Sequence, residues 1–365
     1  MKIQDITSLL ETIAPVAYQE TYDNSGLITG NPEWICTGVI ISLDTTEDVV
    51  QEALAKKCNL IVSHHPIIFE GLKKITGKNY IERTIIAAIK NNIAIYAIHT
   101  NLDNVKDGVN KKIAEKLQLQ HIEILQPAKS LLKKLITFAP VDKAAGVRQA
   151  LFNAGGGSVG KYSECSFNTE GTGTFKAGEG TDPFVGEIGK QHQEKEIKIE
   201  LIFQAYLERT IISALKEAHP YEVVAYDILT LGNSLSEVGS GITGELKNEL
   251  GEKEMLQKLV LAFGLKTVKH TRLSGRSIKK VALCGGAGYF LLQAAIASDS
   301  DIFITSDIKY HQFFEADSRI LLADMGHYES EQFTTELLFD ILRENFPNFA
   351  VLKTGVNTNP VHYFG

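Results

Sequence analysis

The sequence predicts an α/β protein: a two-lobed parallel-sheet core with an inserted α+β domain of ferredoxin-like order. Three observations predict it. Unbroken apolar strands alternate with amphipathic helices through residues 1–126. The same alternation returns within residues 233–365. Between them, residues 127–232 switch to a β-α-β-β-α-β order with half-polar strands. Alternating strands and helices with continuous apolar strands imply a parallel sheet covered on both faces.

In the first part, "TGVIISL" (37–43) reads as a buried strand. "DTTEDVVQEALAKK" follows as a helix, with Asp44 and Glu47 spaced as a capping box. Leu60, Ile61 and Val62 form a short strand that runs into His64, His65 and Pro66, where the proline stops regular pairing. "NYIERTIIAAIKNN" is a helix, "IAIYAI" (93–98) a strand ending in "HTNLDNV", and "GVNKKIAEKLQL" a closing helix. "YDNSGLITG" (22–30) reads as a polar turn.

The last part repeats the scheme. "KKVALCGGAG" is a strand with a Gly-rich turn, "YFLLQAAIAS" a helix, "DIFITS" a strand, "DIKYHQFFEA" a helix and "SRILLAD" a strand. "MGHYESE" then leads into the helix "QFTTELLFDILREN", whose Phe333, Leu337, Leu338, Ile341 and Leu342 share one face. Sliding the two parts together aligns Val39 with Val281, Leu60 with Ile302, Val62 with Ile304 and His65 with Asp307. This faint repeat suggests two related lobes in one domain or sheet.

In the middle, "LLKKLITFAPV" is a strand and "DKAAGVRQALFNAG" a helix. A Gly-rich stretch to Lys190 reads as hairpins and loops. "IKIELIF" is an alternating strand, "LERTIISALKEA" a helix and "YEVVAYDILTL" a strand. That order is the ferredoxin-like split. "GGGSVGKY" (155–162) nearly spells a P-loop, but Tyr162 stands where Ser or Thr should hold magnesium and the motif follows a helix.

Composition bounds the function. A formal net charge of −7 argues against broad nucleic-acid binding, which needs clustered Lys and Arg. Cys36, Cys58, Cys165 and Cys284 form no CxxC pair and read as thiols of a reducing compartment. "MKIQDITSLLETIAP" has neither a long apolar run nor a basic leader, and no stretch is long enough to span a bilayer. No membrane partner and a cytoplasmic location are the expectation.

The chemistry-bearing residues collect at strand ends. His64 and His65 follow one strand, His99 and Asp103 the next, Asp307 a third, and His327 and Glu331 a fourth. In open parallel sheets those ends share the edge where ligands bind. His64, His65, Asp103, His327 and Glu331 therefore read as a metal-ligand set. Imidazole nitrogen with carboxylate oxygen suits zinc, iron or manganese. Adjacent histidines diverge, so two divalent ions, each taking one of the pair with a carboxylate bridging, fit better than one. Glu331 is expected in the first turn of its helix, where the dipole favours a carboxylate. Five protein ligands cannot fill two coordination shells, which indicates open positions for catalysis. His99, Asp307 and His311 are secondary candidates, His99 being the best placed to move a proton. "CGGAG" (284–288) is open to two readings, a backbone phosphate cradle or a tight turn.

Together "SHHPIIF", "HTNLD", "TSDIKYH", "DMGHYESE", "DNSGL" and "CGGAG" resemble the Nif-three-like family of dinuclear-metal proteins, whose members are often named GTP cyclohydrolase 1 type 2 homologs. "KEAHPYEVVAYDI" resembles the PII/CutA-like insert of longer bacterial members. The resemblance implies two metals on the same five residues. It also implies a ring-shaped homohexamer whose metal sites face an internal cavity. Two functions stand open. One is a dinuclear metal-dependent hydrolase, GTP cyclohydrolase-type, opening a purine nucleotide by water attack at C8, with phosphoesters and amides as other targets. The other is a non-catalytic metal-binding regulatory or scaffold hexamer. Open metal positions beside a proton shuttle favour the first, and a site closed by side chains favours the second.

Overall fold

The computed structural model describes residues 1–364. The chain divides into two compact units, one formed by Met1–Pro127 with Ser236–Gly365 and the other by Ala128–Leu235.

The larger unit holds two sheets. In the first, strands Gly26–Thr29, Ala94–Ala97, Leu60–Ser63, Val39–Ser42 and Val351–Lys353 lie side by side in that order. All pairs are parallel except the edge pair of Gly26–Thr29 with Ala94–Ala97. The three central strands are wholly buried. Helices Glu47–Ala55 and Tyr80–Lys90 cover one face, packing Val49, Val50, Ala53, Ile85 and Ala88 on Ile40, Ile61 and Ile95. Each such fully buried aliphatic side chain contributes about 1.5–3 kcal/mol. Asn79 caps the second helix by accepting from the Glu82 amide at 2.9 Å.

The second sheet has the order Lys269–His270, Leu321–Asp324, Ile302–Thr305, Ser277–Leu283, Ser234–Gly251 and Gln120–Lys129. Its three central strands, Leu321–Asp324, Ile302–Thr305 and Ser277–Leu283, are parallel. Val39 pairs with Leu60 in the first sheet, and Val281 pairs with Ile302 in the second. The two lobes thus share strand register at the offset of the faint sequence repeat. They form two separate sheets, each with an antiparallel strand at one edge.

The smaller unit is ferredoxin-like. Its antiparallel strands run Phe167–Lys176, Gln191–Gln204, Leu132–Pro140 and Tyr226–Leu231. Helices Ala144–Asn153 and Glu208–Ala218 bury Val147, Leu151, Ile211 and Leu215 against Leu135, Ile199, Leu201 and Phe203.

Several local expectations change. The cap of helix Glu47–Ala55 is Thr46, which accepts from the Val49 amide, so Asp44 is free for another task. "DIKYHQFFEA" winds as a 3-10 helix over Tyr310–Ala316, and Asp317 ends it in the left-handed region. The hairpins and loops expected before Lys190 include the ten-residue strand Phe167–Lys176, which pairs antiparallel with Gln191–Gln204. "YDNSGLITG" is more than a turn, since Gly26–Thr29 pairs with the sheet. All four cysteines are free thiols. Among the described residues, no helix is long and apolar enough to cross a membrane.

Candidate metal centre

The C-terminal ends of the parallel strands deliver the site. His64 and His65 leave Leu60–Ser63, and His99 leaves Ala94–Ala97 as the N-cap of the one-turn helix Thr100–Asp103. His327 and Glu331 bound a five-residue helix that follows Leu321–Asp324. Four residues apart, they lie on one helical face. Glu331 therefore closes this short helix, and the long helix starts only at Thr334. Imidazoles hold its carboxylate, where a helix N-terminus was expected to.

The five residues read as ligands converge. Glu331 sits between two groups. Its Oε2 lies 2.9 Å from His65 Nε2 and 3.1 Å from His327 Nε2. Its Oε1 lies 3.9 Å from His64 Nε2, which is 3.6 Å from Asp103 Oδ1. His65 Nε2 and His327 Nε2 are 3.3 Å apart. Three sets keep their ligand atoms within 4.8 Å of one another and could hold a metal ion: His64/Asp103/Glu331, His65/His327/Glu331 and His64/His65/His99.

Four imidazoles are anchored through Nδ1. His64 Nδ1 donates to the Ile98 carbonyl at 2.8 Å, and His65 Nδ1 to Asp44 Oδ1 at 2.8 Å. His99 Nδ1 donates to Asp23 Oδ1 at 2.8 Å, and His327 Nδ1 to Asp307 Oδ2 at 2.6 Å. An acceptor on Nδ1 fixes the proton there and leaves the Nε2 lone pair available, the arrangement that orients metal-ligating histidines.

His64 Nε2 and Asp103 Oδ1 test the fit. Both are buried, and neither has a hydrogen-bond partner. A lone pair on His64 Nε2 would face a carboxylate oxygen across 3.6 Å. Two unpaired buried acceptors repel and cost several kcal/mol, on the order of 1–3 each. A cation between them removes both costs, so the donor set fits a metal.

The electrostatics agree. Burial, then the charge on Glu331, raises the Asp103 carboxyl to about 7. Burial alone would raise Glu331 as well, but hydrogen bonds from His327 and His65, with the nearby charge of His64, pull it well below the ordinary range. His65 reaches about 9 and His327 about 11, because their carboxylate partners outweigh a burial that lowers both. A cation would take the place of the protons on Nε2.

"CGGAG" belongs to the site without being a phosphate cradle. Gly285 N donates to Asn110 Oδ1, Gly286 N to Ser330 Oγ and Gly288 N to Thr305 Oγ1. Those amides are already used. The glycine is needed for another reason: a Cβ on Gly286, at φ 62°, would stand 2.3 Å from Glu331 Oε1. Gly286→Ala should cost about 1–2 kcal/mol for the left-handed backbone and push Glu331 out of place. Elemental analysis with a thermal melt checks this, and wild-type metal content in the variant would refute it.

Two functional partners escape the sequence reading, Asp44 and Asp23. Asp44 ends the apolar run 37–43, the same strand-end position that nominated the histidines. Asp23 accepts from His99 and from the backbone and hydroxyl of Thr100. His311 packs its ring on Tyr310 and Phe314, a surface aromatic cluster.

The cluster opens on a cavity of about 1020 Å³ lined by His65, His99, Asp103, His327 and Glu331 among others. Comparison with known proteins agrees over the whole chain. A family model described as Duf34/NIF3 (NGG1p interacting factor 3) matches residues 1–360. A Bacillus subtilis protein named GTP cyclohydrolase 1 type 2 homolog is 36% identical over 362 residues, 98% of this chain and 97% of that one. A Staphylococcus epidermidis protein of the same name is 33% identical over 368 residues, all of both chains. The crystal structure of a Bacillus cereus protein related to NIF3 superposes with a TM-score of 0.83 at 34% identity, covering 100% of this chain and 99% of that one.

Proposed function

The chain belongs to the Duf34/NIF3 family, and on that premise we propose that it is a hydrolase that uses two divalent ions, zinc, iron or manganese, to open a purine-type ring. His64, Asp103 and Glu331 would hold one ion, and His65, His327 and Glu331 the other. The observation that carries this reading is the pair of orphaned buried acceptors, His64 Nε2 and Asp103 Oδ1, beside an open cavity. A purely structural metal would be closed in by side chains.

Two ions supply Lewis acidity and activate water at neutral pH. The chain's own residues do the rest. Asp44 and Asp307 hold His65 and His327 in orientation. His99, anchored on Asp23, lines the cavity and takes up and returns a proton at Nε2. The relatives' name points to a GTP cyclohydrolase-type reaction. In that reaction one water adds at C8 and the C8–N9 bond breaks, leaving a formamide. A second water releases formate.

The test is to load the protein with zinc, iron or manganese and incubate it with GTP and guanosine. Two ions per chain, formate, and loss of the intact guanine chromophore are expected. Silence with every purine, phosphoester and amide offered would transfer the site to the binding-scaffold reading. A ring-shaped homohexamer is the proposed assembly, and sedimentation of the same preparation as a monomer would overturn it.

A further inference from the structure

The cavity wall is unbalanced in charge. Beyond Asp103 and Glu331 it carries Glu20, Asp44, Asp307, Asp324 and Glu329. Among the described residues its one Lys or Arg is Lys269, whose Nζ lies 2.6 Å from Asp324 Oδ2 and is already paired. Two divalent ions and Lys269 bring five positive charges against seven carboxylates, so the wall stays negative even when loaded. The Gly285, Gly286 and Gly288 N–H groups bond within the protein and offer an anion no compensation.

The same wall offers rings. Tyr22, Phe69, Tyr80 and Phe290 line the cavity and are 50–68% exposed, Phe69 the least and Tyr22 the most. Large aromatic side chains left open on a cavity wall suit stacking on a planar heterocycle. A nucleoside triphosphate, by contrast, would bring about four negative charges into a field of the same sign.

We infer that the substrate is an uncharged planar nitrogen heterocycle of nucleobase or nucleoside size, selected by the open aromatic rings, and that the acidic wall disfavours its phosphorylated forms. This rests on the purine-ring reading above. It goes further in dividing guanosine from GTP.

The experiment compares guanosine, GMP and GTP on metal-loaded protein by calorimetric titration and by formate release, with metal content measured afterwards. Guanosine should bind at least about tenfold more tightly than GTP, with GMP between them. Raising salt from about 0.05 to 0.3 M should strengthen GTP binding, since screening relieves repulsion, and leave guanosine unchanged. Glu329→Gln should narrow the gap between the two ligands. GTP binding as tightly as guanosine, or weakening with salt, overturns the inference and leaves the hydrolase reading intact. If none of the three binds or reacts, the purine-ring reading fails and this inference fails with it.

Discussion

Glu331→Ala should empty both halves of the cluster at once. Metal content is expected to fall from two ions per chain to background, and hydrolysis should vanish with it. The carboxylate reaches His65 and His327 with one oxygen and faces His64 and Asp103 with the other, so no other single side chain serves both groups. Affinity should drop by more than about 100-fold, beyond the 10–100-fold expected from removing an outer partner such as Asp44. The fold should survive, because Glu331 belongs to neither sheet's apolar core. Circular dichroism and elemental analysis of Glu331→Ala and Asp44→Asn in parallel give the answer. Two ions retained in Glu331→Ala would rule out the shared-carboxylate arrangement.

The parts of this site that sequence shows are those carried by strand ends. His64 and His65 stand out because an apolar run stops at them, and His327 and Glu331 because their spacing suits one helical face. Strand order then explains why residues so far apart meet. Asp44 was hidden by a competing local grammar: with Glu47 three residues on, it satisfies the capping pattern, yet Thr46 holds the cap. Asp23 was hidden because the strand after it, Gly26–Thr29, is four half-buried residues long and shows no period. The glycines of "CGGAG" were legible as a pattern only. The cause at Gly286 is the approach of Glu331, which arrives from another element entirely, and at Gly288 it is the approach of Cys284 and Thr305. The eighteen-residue strand Ser234–Gly251 carries too many glycines and polar residues to announce itself.

His99→Ala should separate turnover from metal binding. If His99 moves protons, the variant keeps two ions and kcat falls by about 10²- to 10⁴-fold, the usual worth of a positioned acid–base group. If His99 is instead a ligand, as its place in the His64/His65/His99 set permits, metal content falls along with kcat. Asp23→Asn gives an independent reading. The Asp23 carboxylate fixes the proton on His99 Nδ1 and so leaves Nε2 free to accept one. An amide can donate to Nδ1, which shifts the proton to Nε2 and removes the base. Burial would raise Asp23, but the hydrogen bond and charge of His99, with Thr100 and the Asn24 amide, hold it well below the ordinary carboxylate range. The folded-state pKa is depressed, so its contribution to stability is present above about pH 4 and is lost as pH falls further. Asp23→Asn should therefore show a lower kcat, a changed pH–rate profile, unchanged metal content, and less acid sensitivity than wild type below about pH 4. Rates and profiles equal to wild type in both variants would remove His99 from the chemistry and leave proton transfer to another group on the cavity wall.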